Sequence, residues 1–366
     1  MNAALEGLLR AMVEQGASDL HLRAGSPAVY RVNGELFRAR MNSFSPDDMR
    51  QFAASLLNQQ QLALFEQNQE IDFARGIPGV GRFRINAFKQ RGSASFAIRS
   101  TRTQVPLFAD LGLPEVLLDV AMKRRGLILV TGTTGSGKST LLASMLNHVN
   151  MSVPVNIITI EDPIEYLFKD ARGTVVQREI GSDTVDFPSA LRACFRQDPD
   201  VLLIGEIRDS ITMETALSAA DTGHLVMSTL HTMNSVETIS RIISFFPPFQ
   251  HEQIRLILSC VLVAIVSLRL LPRKDGQGRV PACEILINNA TIAEYLLDPD
   301  KTHLIMGAVR EGVRQYGSCS FDQSLLQLYN DDQITLETAR QNASNPDDFA
   351  LKIGGIEGTS DRSWSG

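Results

Sequence analysis

The sequence lacks a cysteine pair, an excess of basic residues and a long apolar run, and each absence excludes a class of protein. Its four cysteines (Cys194, Cys260, Cys283 and Cys319) form no C-x-x-C pair, so neither a zinc ribbon nor a disulfide framework is expected. Lys and Arg number 35 against 41 Asp and Glu, and this net charge of −6 argues against a nucleic-acid partner. The longest apolar run, residues 256–268, would span about 20 Å as a helix, which is less than the ~30 Å core of a bilayer. We expect no transmembrane segment, no signal peptide and a reducing compartment.

The first hundred residues have the pattern of a small α+β domain. Apolar residues at helical spacing predict an amphipathic helix over 3–15, and a Ser-Pro-Asp-Asp start predicts a second helix over roughly 47–66. Two alternating runs around Asn33-Gly34 predict a β-hairpin. We place this domain at 1–100 and a Pro-containing linker at 101–114.

A different pattern begins after the linker, and it predicts an α/β domain over 115–353. Continuous aliphatic strands alternate with helices, which is typical of a parallel sheet that is buried on both faces. Further helices are expected from 235 to about 352, and the Gly/Ser-rich tail 354–366 is expected to be disordered. The four strands are GLILV (126–130), NIITI (156–160), VLLIG (201–205) and LVMSTL (225–230).

A phosphate-binding loop is the sharpest signal in the chain. It reads G-x-x-x-x-G-K-S and consists of Gly132, Thr133, Thr134, Gly135, Ser136, Gly137, Lys138 and Ser139. A strand precedes it and a helix follows, which is the context in which backbone N–H groups cradle phosphates. Lys138 is expected to contact the β- and γ-phosphates, and the Ser139 hydroxyl is expected to bind Mg²⁺. Thr140, the next residue, is expected to belong to the same ATP site.

Acidic residues follow two of the predicted strands, where ligands of open α/β sheets bind. Glu161, Asp162 and Glu165 provide three carboxylates for the metal and the attacking water. A solvated acidic turn ended by Pro163 is the alternative. Glu206, after the VLLIG strand, is expected to be the acid that organises Mg²⁺.

One histidine and a set of arginines complete the candidate site. His231 ends the LVMSTL strand, where it is placed to sense the γ-phosphate, whereas His224 lies at the far end of that strand. Arginines can neutralise charge in a phosphoryl-transfer transition state, although surface ion pairs are the expectation for at least half of them. They are Arg82, Arg84, Arg99, Arg192, Arg196 and Arg208.

These motifs together resemble those of the secretion and type IV pilus motor ATPases, and most closely the PilT-like retraction branch. The resemblance extends from about residue 3 to 352. Besides the phosphate loop, its motifs are ASDLHLRAG (17–25), GRFRINAF (81–88), ITIEDPIEY (158–166), LIGEIRD (203–209) and TGHLVMSTLHT (222–232).

The resemblance implies a fold and a task. The fold would be an N-terminal PAS-like domain followed by a RecA-like ATPase domain. Six subunits would form a homohexamer at the cytoplasmic base of a pilus machine, peripheral to the inner membrane. The ring would hydrolyse ATP with Mg²⁺ to retract the pilus, acting with an inner-membrane platform protein and a paralogous motor subunit.

The resemblance also implies residue roles. Glu165 would be the general base, Glu206 the Walker B acid, and His224 and His231 the His-box residues. The arginines that reach nucleotide in closed interfaces would be Arg82, Arg84 and Arg99. A coupling segment associated with retraction would be Ala308, Val309, Arg310, Glu311 and Gly312, in which Ala308 and Val309 pack inward and Gly312 ends the helix.

Three other functions compete with a catalytic retraction motor. Extension and secretion motors usually carry a longer N-terminal region and a four-cysteine module, which this sequence does not show. An accessory ring subunit with little turnover of its own is compatible with the motifs, and FDQSLLQLY (321–329) resembles the C-terminal part of such paralogues. A DNA translocase is disfavoured by the acidic charge balance.

Overall fold

The computed structural model describes residues 2–32, 34–101, 104–347 and 349, which fall into two compact units. The first unit contains Met1–Gln104, Pro163–Phe168 and Glu179–Val185. The second contains the remaining ranges, Val105–Asp162, Lys169–Arg178 and Asp186–Gly366. The first unit therefore includes two short segments that are far along the chain from its main part.

A six-stranded antiparallel sheet forms the centre of the first unit, with strand order β3-β2-β1-β6-β5-β4. The hairpin predicted around Asn33-Gly34 is confirmed as β2 and β3, with Gly34 at φ +88° and Asn33 outside the described residues. The strands are β1 (Asp19–Arg23), β2 (Val29–Val32), β3 (Glu35–Arg38), β4 (Glu70–Ile77), β5 (Gly81–Gln90) and β6 (Ser93–Ser100).

Three helices share one apolar core with this sheet: α1 (Ala3–Glu14), α2 (Pro46–Leu56) and α3 (Gln59–Asn68). The prediction of a single helix over 47–66 was wrong. Leu57 is extended at φ −93°, ψ 136°, and Asn58 begins a new helix. The Asn58 side chain accepts from the Gln61 N–H while the Gln61 side chain accepts from the Asn58 N–H, a capping box that starts α3 independently.

A seven-stranded sheet organises the second unit, with order β13-β12-β7-β11-β10-β8-β9. The pairs from β12 to β8 are parallel and β13 is antiparallel to β12. Every residue of β7, β10 and β11 is buried, which confirms a parallel sheet covered on both faces. The strands are β7 (Gly126–Thr131), β8 (Asn156–Glu161), β9 (Thr174–Glu179), β10 (Val201–Ile204), β11 (Leu225–Leu230), β12 (Leu262–Pro272) and β13 (Arg279–Ile287).

The prediction that the region after residue 235 is helical was only partly right, because strands β12 and β13 interrupt the helices. The helices of this unit are α4 (Val116–Ala121), α5 (Lys138–Ser152), α6 (Phe187–Cys194), α7 (Ser210–Asp221), α8 (Ser235–Ser244), α9 (His251–Val261), α10 (Ala290–Leu297), α11 (Ile305–Glu311), α12 (Val313–Tyr316), α13 (Phe321–Asn330) and α14 (Leu336–Asn342). In the part of the chain that the structure describes, no helix has the length and apolarity to cross a bilayer. The predicted tail 354–366 lies outside the described residues.

Candidate functional site

The phosphate loop joins β7 to α5 and depends on glycine at three positions. Gly132, Gly135 and Gly137 have φ values of +136°, +78° and +99°, which side-chain-bearing residues rarely adopt. At Gly132 a Cβ atom would also lie 2.5 Å from the carbonyl oxygen of Leu268. Helix α5 begins at Lys138, and its N-cap residue, Gly137, has no side chain that could cap it. The N-terminus of a helix directs backbone N–H groups outward, which is the geometry that binds a phosphate.

Lys138 is the buried cation of the loop, with only 8% of its surface exposed. Its Nζ donates to the carbonyl oxygens of Gly132 at 2.8 Å and Thr133 at 3.0 Å. The same Nζ lies 3.5 Å from Nδ1 of His231. The lysine is thus held inside its own loop, next to the histidine that ends β11.

Glu206 continues this line of contacts. Its Oε1 lies 3.1 Å from Nε2 of His231, and its Oε2 accepts from the Arg208 guanidinium at 2.8 Å. Burial acts to raise the pKa of Glu206, but the hydrogen bond from Arg208 and the charges of His231 and Arg208 outweigh it. The pKa of Glu206 is therefore below its usual value, and the carboxylate is kept ionised.

Strand order explains why these residues meet. β7, β11 and β10 are parallel neighbours, so the loop after β7, His231 after β11 and Glu206 after β10 share one edge of the sheet. The Thr229 hydroxyl donates to the Gly205 carbonyl at 2.7 Å, and the Ile207 N–H donates to the Thr229 carbonyl at 3.1 Å. These two bonds fix the backbone on both sides of Glu206.

The remaining loop side chains differ in exposure. Thr133 and Thr134 are exposed, while Ser139 and Thr140 are half-buried. The Ser136 hydroxyl is buried and has no hydrogen-bond partner among the described residues. A buried hydroxyl in a phosphate loop without a protein partner is consistent with a ligand that supplies one.

The predicted acidic group is divided between the two units. Glu161, the last residue of β8, is buried and accepts from the Thr159 hydroxyl at 2.6 Å and the Gln177 amide at 3.1 Å. Asp162 is exposed and also belongs to the second unit, whereas Glu165 is an exposed residue of the first. The three carboxylates therefore have three different environments.

In the first unit, Arg84 and Arg99 are exposed and directly opposite each other on β5 and β6. Arg99 pairs with Asp19 at 2.9 Å, and Arg31 lies 3.8 Å from the same carboxylate. Burial acts to raise the pKa of Asp19, but hydrogen bonds from Ser18 and Arg99 lower it overall. Like charges directly opposite on a sheet are unfavourable; Asp19 offsets the charge of Arg99, and a further anion would offset that of the pair.

Arg82 has a buried partner that the sequence did not suggest. Its guanidinium lies 3.1 Å from Oε2 of Glu179, whose side chain is 5% exposed. The two residues are far apart in the chain, and no spacing pattern links them. The sequence shows Glu179 only as the last residue of the charged segment Gln177-Arg178-Glu179, which does not indicate its partner.

Other predicted residues lie elsewhere. His224 precedes β11, at the end opposite to His231, where its Nδ1 lies 3.0 Å from the Ala219 carbonyl and its ring meets Phe195 edge-on. Arg192 and Arg196 are exposed, one near the end of α6 and the other just after it. Arg192 donates to the Ser189 hydroxyl and Arg196 to the Arg192 carbonyl, and both contacts are local.

The predicted coupling segment lies on α11. Val309 is buried and Ala308 half-buried, while Arg310 and Glu311 are exposed. Helix α11 ends at Glu311 with Gly312 as its C-cap, as predicted, although Gly312 has right-handed geometry with φ −73° and α12 begins at Val313. A left-handed glycine, Gly317 at φ +75°, ends α12.

The residues at the loop fit a magnesium ion that arrives with a nucleotide. Among the described residues no group of three or more His, Cys, Asp or Glu could hold a metal by itself. Magnesium is usually bound by one or two carboxylates together with substrate phosphates. The Ser139 hydroxyl and the Glu206 carboxylate are hard oxygen donors of the required kind.

The sheet order and the glycine loop with its buried lysine define a RecA-like P-loop ATPase. A family model described as "Type II/IV secretion system protein" matches residues 3–295, and the chain belongs to that family. This confirms the resemblance seen in the sequence motifs.

Two curated relatives from Pseudomonas aeruginosa are similar over nearly the whole chain. The type IV pilus ATPase PilU is 41% identical over 95% of this chain and 91% of its own length. The type IV pilus retraction ATPase PilT is 41% identical over 93% of this chain and 98% of its own length. A crystal structure of the pilus retraction motor PilT with bound ADP has a TM-score of 0.86 and 44% identity, and the match covers 93% of this chain and 97% of that chain.

Proposed function

We propose that this protein is a motor ATPase that hydrolyses ATP to power type IV pilus retraction, and hence twitching motility. One observation carries the proposal: Lys138, His231, Glu206 and Arg208 form a continuous line of contacts at a phosphate loop. The whole chain is also similar to PilT, with 41% identity over 98% of the length of that protein. The contacts support nucleotide chemistry, and the similarity supports the mechanical task.

In the proposed reaction, the loop N–H groups bind the phosphates and Lys138 exchanges its loop carbonyls for phosphate oxygens. Glu165 accepts the proton of the water that attacks the γ-phosphate. The side chains of His231 and Arg208 turn to contact the γ-phosphate. Ser139 and Glu206 would hold Mg²⁺, which when bound neutralises phosphate charge.

We propose that the protein acts as a homohexamer in which Arg82, Arg84 and Arg99 of one subunit reach the nucleotide of a neighbour. The facing pair of exposed arginines on β5 and β6 supports this, since a phosphate is the kind of partner that would offset their repulsion. The exposed residues Arg310 and Glu311 would transmit movement to an inner-membrane platform protein. The ring would lie on the cytoplasmic side of that membrane.

The test of the proposal is Glu165→Gln in the full chain. Nucleotide affinity should stay within about twofold, while turnover should fall by about 10²-fold or more, the usual contribution of a general base. Expressed in cells that lack their retraction motor, the wild-type chain should restore twitching and Glu165→Gln should not. Wild-type-like turnover in Glu165→Gln would move the base to Glu161 or Glu206, and a wild-type chain without turnover would refute the proposal.

A second candidate is an accessory ring subunit that transmits force with little turnover of its own. The type IV pilus ATPase PilU and PilT are both 41% identical to this chain, so the identities do not favour this role over the motor. The purified chain separates the two roles. Substantial turnover without a paralogue supports the motor, whereas turnover that needs a paralogous ATPase supports the accessory role.

A further inference from the structure

Glu179 is a buried carboxylate with two partners at a single oxygen. Only 4% of the residue is exposed. Its Oε2 lies 3.1 Å from the Arg82 guanidinium and also accepts the backbone N–H of Ile164 at 3.1 Å. Both partners belong, like Glu179, to the first unit.

The position of Glu179 is fixed by its own turn. Its N–H donates to the Asp183 carboxylate at 2.8 Å, and its carbonyl accepts from the Asp183 N–H at 2.9 Å. The Ser182 hydroxyl lies 3.5 Å from the other carboxylate oxygen, Oε1. The carboxylate is therefore presented by a backbone that is closed by hydrogen bonds.

The N–H group that donates to Glu179 belongs to Ile164, the residue directly before the proposed general base Glu165. Ile164 and Tyr166 are 5% and 3% exposed, while Glu165 between them is exposed. Two buried neighbours orient the segment, and the bond to Glu179 fixes the peptide unit between Pro163 and Ile164, one residue before Glu165. The Arg82 guanidinium, 3.1 Å away, is the cationic partner that holds the Glu179 carboxylate in place.

We propose that Glu179 is a positioning residue for Glu165. The inference rests on the proposed function, in which Glu165 accepts the proton of the attacking water. A base must lie within hydrogen-bond reach of that proton, and a displacement of about 1 Å can cost about 10²-fold in rate. Glu179 itself touches neither water nor nucleotide in this scheme.

The experiment combines Glu179→Ala and Glu179→Gln with Glu165→Gln in the full-length chain. Glu179→Ala should lower kcat about tenfold or more and leave KM and ADP affinity within about twofold. Glu179→Gln keeps an acceptor for the Ile164 N–H without the charge, so its kcat should lie between those of wild type and Glu179→Ala. Hydrogen exchange in residues 163–168 should speed up in the same order.

Combining each variant with Glu165→Gln separates positioning from general damage. If Glu179 acts through Glu165, neither substitution should reduce the residual turnover of Glu165→Gln further. Glu66→Gln is the matched control. It breaks the ion pair between Glu66 and Lys89, and this pair has no part in the site although Lys89, like Arg82, lies on β5. It should leave kcat and the exchange of 163–168 unchanged.

The possible results decide between the explanations. Normal kcat in both Glu179 variants, or an equal loss in the wild-type and Glu165→Gln backgrounds, would overturn the inference while the proposed function stands. If Glu179→Ala does not fold, the same comparison with Glu179→Gln is decisive. If the wild type hydrolyses no ATP, or Glu165→Gln turns over normally, the proposed function or its base has failed and the inference fails with it.

Discussion

Alanine in place of Gly132 or Gly135 should have very different effects on stability, although both residues belong to the phosphate loop. At Gly132 a Cβ atom would lie 2.5 Å from the Leu268 carbonyl oxygen and 2.6 Å from Oγ of Ser136. The serine hydroxyl can rotate away, but the carbonyl belongs to the backbone of β12 and cannot. At Gly135 no atom of the described chain lies within 4 Å of the added carbon.

The magnitudes follow from these contacts. A strained positive φ costs about 1–3 kcal/mol, and forcing an extra carbon into packed structure costs about 1–3 kcal/mol. Gly132→Ala should therefore lower the free energy of unfolding by about 2–6 kcal/mol. Gly135→Ala has the backbone cost alone, about 1–2 kcal/mol.

Urea unfolding followed by circular dichroism measures the difference. With a slope of about 2 kcal/mol per molar, 2 kcal/mol moves the midpoint by about 1 M. Neither glycine is in the first unit, so any separate transition of that unit should stay unchanged and serves as the reference. Equal midpoints for the two variants would refute the close approach of Gly132 to β12.

Three further predictions concern the proposed motor. Lys138→Ala should abolish ATP turnover, because the buried phosphate cation is lost; unchanged turnover in a phosphate-release assay would contradict this. Mixed rings of Lys138→Ala and Arg99→Ala subunits should regain turnover if sites are shared between chains, and no regain points to sites within one chain. Val309→Ala with Arg310→Ala should leave turnover and assembly nearly unchanged yet stop retraction in cells, and a parallel loss of hydrolysis would make that segment structural.

A pH prediction follows from Asp19. Its pKa is lowered in the folded chain by hydrogen bonds from Ser18 and Arg99 that outweigh burial. These bonds therefore stabilise the native state fully above the usual Asp pKa of about 4, and the effect is lost as the pH falls through the lowered value. Asp19→Asn should therefore be less stable than wild type at neutral pH, and the difference should shrink in acid. A constant difference in denaturation midpoint across that range would show that the charge is not responsible.

Much of the fold could be predicted because local pattern and final burial agree. The aliphatic strands β7, β10 and β11 are buried along their whole length, which is what their continuous apolar sequences require. The phosphate loop could also be predicted from local sequence, because its backbone geometry requires glycine, lysine and serine at a fixed spacing.

The failures occurred where one pattern fits two structures. Residues 256–268 are apolar except for Ser259 and Ser267, yet α9 ends at Val261 and β12 begins at Leu262 without an intervening glycine or proline. The apolar residues continue across the change from helix to strand, so apolar periodicity could not locate the boundary. The break after α2 did have a signal, because Asn58 and Gln61 have the spacing of a capping box. The contact between Arg82 and Glu179 depends on tertiary folding alone.

The state of the phosphate loop in this structure bears on how ATP would act. Lys138 already donates to two carbonyls of its own loop, and Glu206 already holds His231 and Arg208. A phosphate must therefore replace existing charge-assisted contacts, and only the difference between the old and new contacts contributes to binding. Lys138 lies 3.5 Å from His231, and His231 lies 3.1 Å from Glu206. If Lys138 turns to a phosphate, it therefore changes the contact of His231, and through it the surroundings of Glu206, across the three neighbouring strands β7, β11 and β10. The line of contacts is thus a physical route by which phosphate binding after β7 can change the carboxylate after β10.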